Sequence, residues 1–340
     1  MKTEFIPHAQ LTDKTIERAG AVLKNGGLVV FPTETVYGLG ANALDAKAAG
    51  KIYAAKGRPS DNPLIVHIAE PKDAEKYAFV CEEYRKLAKA FMPGPLTVIL
   101  PKKDCIPDTV SGGLDSVGIR CPENEIARRL IRAAGVPVAA PSANLSGKPS
   151  PTTAAHALSD LDGKVDMILD GGACRVGLES TIIKLEDGKA TLLRPGGVTP
   201  DMLRPLLPSL TLADAITSQL SPNARPLSPG MKYKHYAPAS PLTLVSGSDT
   251  QRQAYFAASA SDTLLLVFDE ETDLFAGRKV IPIGGKNDPK AQAARLFSAL
   301  READRQGCAA ILAPLPEKEG LSLALYNRMI RAAAHRIVML

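Results

Sequence analysis

Leu28-Val29-Val30-Phe31-Pro32-Thr33-Glu34-Thr35-Val36-Tyr37-Gly38-Leu39-Gly40 sets how the chain begins to fold. Four consecutive apolar residues are too few for a helix and read as a buried strand. Pro32 stops it, because proline cannot donate to a sheet ladder. Two hydroxyls and a carboxylate follow, then two glycines that allow close backbone approach. The same residues also fit a plain strand-to-helix turn with capping hydroxyls. Upstream, Thr12 or Asp13 can cap a helix that ends at Gly26-Gly27. Downstream, Asp45 can cap a second helix running through Ala54.

Working outward, helix and strand signals alternate. Strands are predicted at 64–68, 96–100, 117–120, 136–140, 167–169, 181–185 and 191–193, and helices at 83–91, 124–134 and 152–159. This is an α/β pattern with helices over a mixed sheet. Between Pro222 and Pro241 lie five prolines, with Arg225, Lys232 and Lys234 and no acidic residue. Proline at that density blocks helix interiors and sheet ladders, so the stretch reads as an extended linker. Beyond it, strands at 242–245, 264–268 and 309–313 and helices at 289–306 and 321–333 predict a small doubly wound, Rossmann-like α/β unit. It carries no GxGxxG, so a dinucleotide site there has no support. The expected division is a first domain over 1–207, a linker over 208–240 and a second domain over 241–340. The 340 residues agree with two domains, because single cores rarely grow past about 250–300 residues.

Composition narrows the class. Hydrophobic residues make up 45%, too many for a disordered chain. No apolar run approaches the roughly 20 residues of a membrane span. Met1 to Gln10 lacks the apolar core of a secretory signal, which predicts a cytoplasmic protein. The five cysteines show no CxxC and no metal-ligand spacing, so reduced thiols and no protein-held metal are expected. The 41 basic against 36 acidic residues leave +5, which permits a phosphate ligand or a nucleic acid.

Five loops carry candidate chemistry, and open α/β sheets place ligand sites in such loops. The first is 32–40. In the second, Lys56-Gly57-Arg58-Pro59-Ser60-Asp61-Asn62-Pro63, two cations lie two residues apart and can face one anion. It runs into the apolar strand that holds His67, which reads equally as a core histidine or a ligand. The third, Ser116-Val117-Gly118-Ile119-Arg120, ends an apolar strand on an arginine. That charge needs either a structural salt bridge or a ligand carboxylate. The fourth, Pro141-Ser142-Ala143-Asn144-Leu145-Ser146-Gly147-Lys148-Pro149-Ser150-Pro151-Thr152, is crowded with hydroxyl and amide groups. The fifth joins Gly177-Leu178-Glu179-Ser180-Thr181 to Arg194-Pro195-Gly196-Gly197. There is no P-loop, GxSxG or HExxH motif, and no cysteine with an obvious histidine partner. Donors and cations without a strong nucleophile suit chemistry between bound substrates, with attack on a nucleotide phosphate the natural case.

PTETVYGLG, KGRPSDNPL, VGIR, PSANLSGKPSPT, GLESTI and LLRPGG, in this order, closely resemble the YrdC-type threonylcarbamoyl-AMP synthases. SPGMKYKHYAP (Ser228 to Pro238), followed by a small α/β domain, resembles their long two-domain form. The resemblance implies a YrdC-like catalytic domain with a twisted sheet and a basic concave face. It implies condensation of L-threonine, bicarbonate and ATP into L-threonylcarbamoyl-AMP and pyrophosphate. The product would serve threonylcarbamoyladenosine modification of tRNA through a separate transferase complex. Carried over, Lys56, Arg58 and Asn62 would hold the ATP phosphates, with Lys56 and Arg58 catalytic, and Asn144, Ser150 and Arg194 would complete the nucleotide site. Thr35, His67, Arg120, Ser142 and Ser180 would bind threonine, with Arg120 facing its carboxylate. Tyr236, with His235, would reach back from the linker over the nucleotide. Mg²⁺ would be held by phosphate oxygens and water. Two other classes fit less well. An RNA-binding or assembly factor would use the basic face on tRNA, but the absence of Trp argues against base stacking. Direct tRNA contact is therefore the weaker inference. Carbamoyl transfer, as in hydrogenase-maturation proteins, would come with zinc-binding domains that the cysteine pattern does not supply.

Overall fold

The computed structural model describes residues 2–218, 227 and 235–340. The linker residues Arg225, Lys232 and Lys234, and Pro222, Pro226 and Pro229, lie outside the described residues. The first part of the chain contributes strands β1 (Glu4–Ile6), β2 (Val29–Phe31), β3 (Gly38–Asn42), β4 (Ile65–His67), β5 (Leu96–Pro101), β6 (Ser116–Arg120), β7 (Val138–Ala139), β8 (Met167–Leu169), β9 (Thr181–Glu186), β10 (Lys189–Arg194) and β11 (Thr211–Leu212). Its helices are α1 (Asp13–Lys24), α2 (Ala46–Lys56), α3 (Glu82–Phe91), α4 (Asp108–Ser111), α5 (Glu125–Ala134), α6 (Ala154–Leu161) and α7 (Pro200–Leu203). The strands form one mixed sheet in the order β1-β8-β2-β3-β7-β4-β6-β5-β9-β10-β11. The expected α/β architecture holds.

Local chemistry explains the boundaries. Thr12 caps α1 by accepting from Thr15 N, and the Thr15 hydroxyl accepts from Thr12 N at 2.8 Å. Asp45 caps α2 as expected, accepting from Lys47 N and Ala48 N. Gly57 ends that helix at φ 60°, a left-handed conformation that favours glycine.

Residues 32–40 differ from the expectation of a loop leading to a helix. The chain turns at 32–37 and returns as β3, antiparallel to β2, with Phe31 opposite Gly38. The two glycines belong to this strand. At Gly40 a Cβ would lie 2.8 Å from Val138 Cγ1 and 2.9 Å from Phe31 Cε1. Gly40 therefore makes room for the Phe31 ring rather than for a ligand.

The second sheet is built from β12 (Leu242–Ser246), β13 (Thr263–Val267), β14 (Val280–Pro282), β15 (Ala310–Pro314) and β16 (Ile337–Met339), ordered β14-β13-β15-β12-β16. All its pairings are parallel. The helices α8 (Asp249–Ala257), α9 (Pro289–Gln306) and α10 (Ser322–Ala332) pack with it. Sequence reading missed α8, β14 and β16. The first is a polar helix with only Arg252 and Phe256 buried, and the strands are three-residue pieces. It also missed β1, and β11 lies inside the stretch expected as linker.

Helices α9 and α10 lie against the candidate loops of the first sheet. Gly177, at φ +75°, lies so close to α9 that a Cβ would sit 2.5 Å from Ala293 O. Arg301 of α9 donates to Pro149 O at 2.6 Å and to Asp160 Oδ2 at 2.7 Å. Asp160 in turn receives Lys148 Nζ at 3.1 Å and Leu145 N at 3.3 Å. The loop between β7 and α6 is thus pinned from both sides.

Candidate active site

The loops meet around an open cavity of about 700 Å³, mouth included. Among the described residues, four cations line it: Lys56, Arg58, Arg120 and Arg194. Among the described residues lining it, Glu179 is the one carboxylate.

Lys56 is the last residue of α2 and is buried. Its ammonium donates to Ser142 O at 2.5 Å and to Asn144 O. Burial and the neighbouring Arg58 push its pKa well below the ordinary lysine value. Arg58 follows the helix-ending Gly57 and donates to Asn62 O at 3.2 Å and Pro63 O at 3.1 Å. Asn62 does not line the cavity. It stands behind Arg58, and its carbonyl also accepts from the Tyr53 hydroxyl at 3.1 Å.

Ser142 and Asn144 line the cavity beside Lys56, with the Ser142 hydroxyl donating to Asn144 Oδ1 at 2.5 Å. The Asn144 amide group donates to Leu145 O at 2.8 Å and Lys148 O at 3.0 Å, which fixes the loop internally. Ser150 donates to Glu179 Oε1 at 2.5 Å. Burial opposes ionisation of Glu179, but Arg328, Arg194 and the Ser150 hydroxyl together hold its pKa below the usual carboxylate range. Arg194, ending β10, donates through Nε to Ser180 O at 3.0 Å and through Nη2 to Ser180 Oγ at 3.2 Å. The Ser180 hydroxyl also lies 2.7 Å from Thr97 Oγ1. Burial lowers the Arg194 pKa to about 10, so it stays charged at neutral pH.

Arg120 ends β6 with a structural partner that sequence reading did not name: its Nη2 donates to Glu34 Oε1 at 2.7 Å and to Thr35 Oγ1 at 2.8 Å. Both members of the ion pair are buried. Its Nε, also buried, has no hydrogen-bond partner among the described residues, and the residue lines the cavity. Thr35 lies behind the wall, and Thr33 lines the cavity in its place. The two hydroxyls are 2.8 Å apart, and Thr33 donates onward to Val36 O at 2.6 Å. His67, on β4, lines the cavity with Nδ1 donating to Ile65 O at 3.1 Å. Burial and the nearby Arg120 push its pKa down to about 3, so it is a neutral imidazole. From the far end of the linker, His235 and Tyr236 also reach the wall. Tyr236 stacks on Phe297 of α9 with ring centroids 5.2 Å apart, and burial raises its pKa.

No cysteine lines this cavity. Burial raises the pKa of Cys121 and Cys174 to about 12, so neither is an activated thiolate. Among the described residues no group of three His, Cys, Asp or Glu side chains is placed to hold a metal ion. No described helix is long and apolar enough to cross a membrane. The arrangement can hold a polyanion and a small carboxylate side by side and align them for direct reaction. Every sequence-predicted site residue is at this cavity or directly behind it. Glu34 and Glu179 were legible only as carboxylates inside motifs, without their partners.

The chain is similar to known proteins over nearly its whole length. The family model Sua5_yciO_yrdC, described as telomere recombination, matches residues 21–196. The model of the threonylcarbamoyl-AMP synthase C-terminal domain matches residues 198–334. A threonylcarbamoyl-AMP synthase of Pyrococcus abyssi is 44% identical over 336 residues, covering 95% of each chain. One of Bacillus subtilis is 43% identical over 331 residues, covering 96% of this chain and 95% of its own. The crystal structure of P. abyssi Sua5 complexed with L-threonine matches all of both chains at a TM-score of 0.90 and 40% identity. With a cation-lined cavity, both sheets and both family models in agreement, the chain belongs to the threonylcarbamoyl-AMP synthase family in its two-domain form.

Proposed function

We propose that this protein condenses L-threonine, bicarbonate and ATP into L-threonylcarbamoyl-AMP, releasing pyrophosphate, for threonylcarbamoyladenosine modification of tRNA. The observation that carries the proposal is a single cavity whose wall joins Lys56 and Arg58 to Arg120 and Arg194 without an activated nucleophile.

The threonine amine reacts with bicarbonate, losing water, to form an N-carboxylate. One oxygen of that carboxylate attacks the α-phosphorus of ATP, and the bond to the bridging oxygen breaks to release pyrophosphate. Neither step needs a covalent enzyme intermediate, so the protein's contribution is alignment and charge stabilisation. Lys56 and Arg58 face the phosphates, with Asn62 holding Arg58 in place. Asn144, Ser150, Arg194 and Tyr236 complete the nucleotide side. Arg120, His67, Ser142, Ser180 and the Thr33–Thr35 hydroxyl pair form the threonine side. A neutral His67, its one proton on Nδ1 and given to Ile65 O, can accept a hydrogen bond there through Nε2 without adding charge. Mg²⁺, carried by ATP, would offset charge on the phosphates, and Lys56 and Arg58 would add the protein's own cations there. The product, an activated carbamoyl group, passes to a transferase complex in the cytoplasm, which transfers the group to tRNA.

The test is pyrophosphate release from ATP and Mg²⁺ with both other substrates present. Omission of either L-threonine or bicarbonate must stop it. Pyrophosphate formed without threonine would overturn the substrate assignment.

A further inference from the structure

The carboxylate in the cavity wall is held by a residue of the second sheet's layer. Arg328, on α10, is completely buried, and the Glu179 side chain is only 8% exposed. Arg328 Nε donates to Glu179 Oε2 at 2.8 Å and Nη2 to the Glu179 carbonyl at 3.3 Å. Its Nη1 donates to Asn327 Oδ1 at 2.8 Å, and Asn327 Nδ2 donates to Ile216 O at 2.7 Å. The guanidinium also stands 5.8 Å from the centre of the Tyr236 ring. One side chain from α10 therefore braces two pieces of the cavity wall that lie far apart in sequence.

This bracing has a chemical consequence at Ser150. A buried carboxylate without a cation would take up a proton. Beside Arg328 it stays ionised and can only accept hydrogen bonds. The Ser150 hydroxyl has one proton, and at 2.5 Å that proton goes to Glu179 Oε1. What Ser150 then presents to the cavity is oxygen lone pairs. Such an oxygen suits an N–H or O–H group and repels a phosphate oxygen.

We propose that Arg328 is a positioning residue for the nucleotide: by clamping Glu179 it turns Ser150 into a fixed acceptor for a hydrogen-bond donor on the nucleoside part of ATP. This rests on the reading that Ser150 belongs to the nucleotide side. It makes α10 a working part of the active site rather than a neighbouring domain.

The test compares Arg328→Met, Arg328→Lys and Ser150→Ala in the full chain, measuring binding of ATP and of pyrophosphate by calorimetry. Arg328→Met and Ser150→Ala are each expected to weaken ATP binding about tenfold, the loss of one charge-assisted hydrogen bond. Pyrophosphate binding stays unchanged, because no phosphate contact is lost. Arg328→Lys keeps the cation and retains most of the ATP affinity. The Ser150→Ala/Arg328→Met pair loses no more than either single variant, because both act on one hydrogen bond. A folded Arg328→Met protein with unchanged ATP affinity overturns the inference, as does an equal loss for pyrophosphate. Where Arg328→Met does not fold, Glu179→Leu/Arg328→Met removes both charges and the acceptor of the Ser150 proton together and is expected to bind ATP as weakly as Ser150→Ala. Unchanged affinity there overturns the inference equally. If Ser150→Ala itself leaves ATP binding intact, the placement of Ser150 on the nucleotide side fails, and the inference with it. If only the Arg328 variants are silent, that placement stands and the inference alone is lost.

Discussion

The two ends of the cavity hold their cations in different ways. At one end Lys56 donates to the carbonyls of Ser142 and Asn144, and Arg58 to those of Asn62 and Pro63. Carbonyl dipoles orient a cation without cancelling its charge. At the other end Arg120 is paired with a full carboxylate, Glu34, inside the protein. The first arrangement keeps positive charge available for a polyanion. The second leaves an arginine close to neutral with its partner, with a buried Nε that makes no hydrogen bond among the described residues. That suits a small amino acid, whose own charges largely balance. On the proposed assignment, the contrast would let one cavity tell ATP from threonine before any chemistry occurs.

The largest effect should come from the carbonyl-held end. Lys56→Ala or Arg58→Ala is expected to cut threonine-dependent pyrophosphate release by about 10²–10³-fold, the usual loss when one donor to developing charge is removed. Turnover close to the parent level in either variant would show that the phosphates lie elsewhere. A smaller and more selective effect should come from the carboxylate-held end. Arg120→Lys preserves charge against Glu34 but loses the planar fork. It is expected to raise the KM for threonine about tenfold and leave the KM for ATP alone. A parallel rise in both constants would mean the two ends do not act separately.

Particular residues show what could be read before the structure. Leu28 to Phe31 declared a strand by length and by the proline after it. Lys56 and Arg58 could be read, from their spacing, as cations able to face one anion, and the family resemblance assigned them to phosphates. The motifs that resemble one another across the family named the loops, and the structure gathered those loops at one place. Three features were out of reach. Gly38 and Gly40 looked like loop glycines, but their absent side chains make space for Phe31, a contact between strands that no local pattern encodes. Thr33 and Thr35 are chemically alike, and which one faces the cavity depends on the turn between β2 and β3. Arg328 lies 149 residues from Glu179, on a helix whose apolar pattern marks it only as packed.

The smallest expected effect concerns His67, which lies with Arg120 on the carboxylate-held side. Its imidazole is neutral in the folded protein down to about pH 3, because burial and the Arg120 charge exclude a second cation. In the unfolded chain it titrates near 6.5. Below that pH the unfolded state binds a proton that the folded state refuses, so stability is lost as pH falls from 6.5 toward 3. The contribution of this one group is about 1.4 kcal/mol for each pH unit in that window. Urea unfolding at pH 6.5, 5.5 and 4.5 should therefore be steeper in pH for the parent than for His67→Gln, by close to one proton. His156 and His235 are depressed by burial in the same way, to about 4 and about 3, and contribute slopes of their own. The comparison with His67→Gln isolates the one that faces Arg120. If the two slopes coincide, His67 takes a proton in the folded state, and the carboxylate-held end is less positive than its geometry implies.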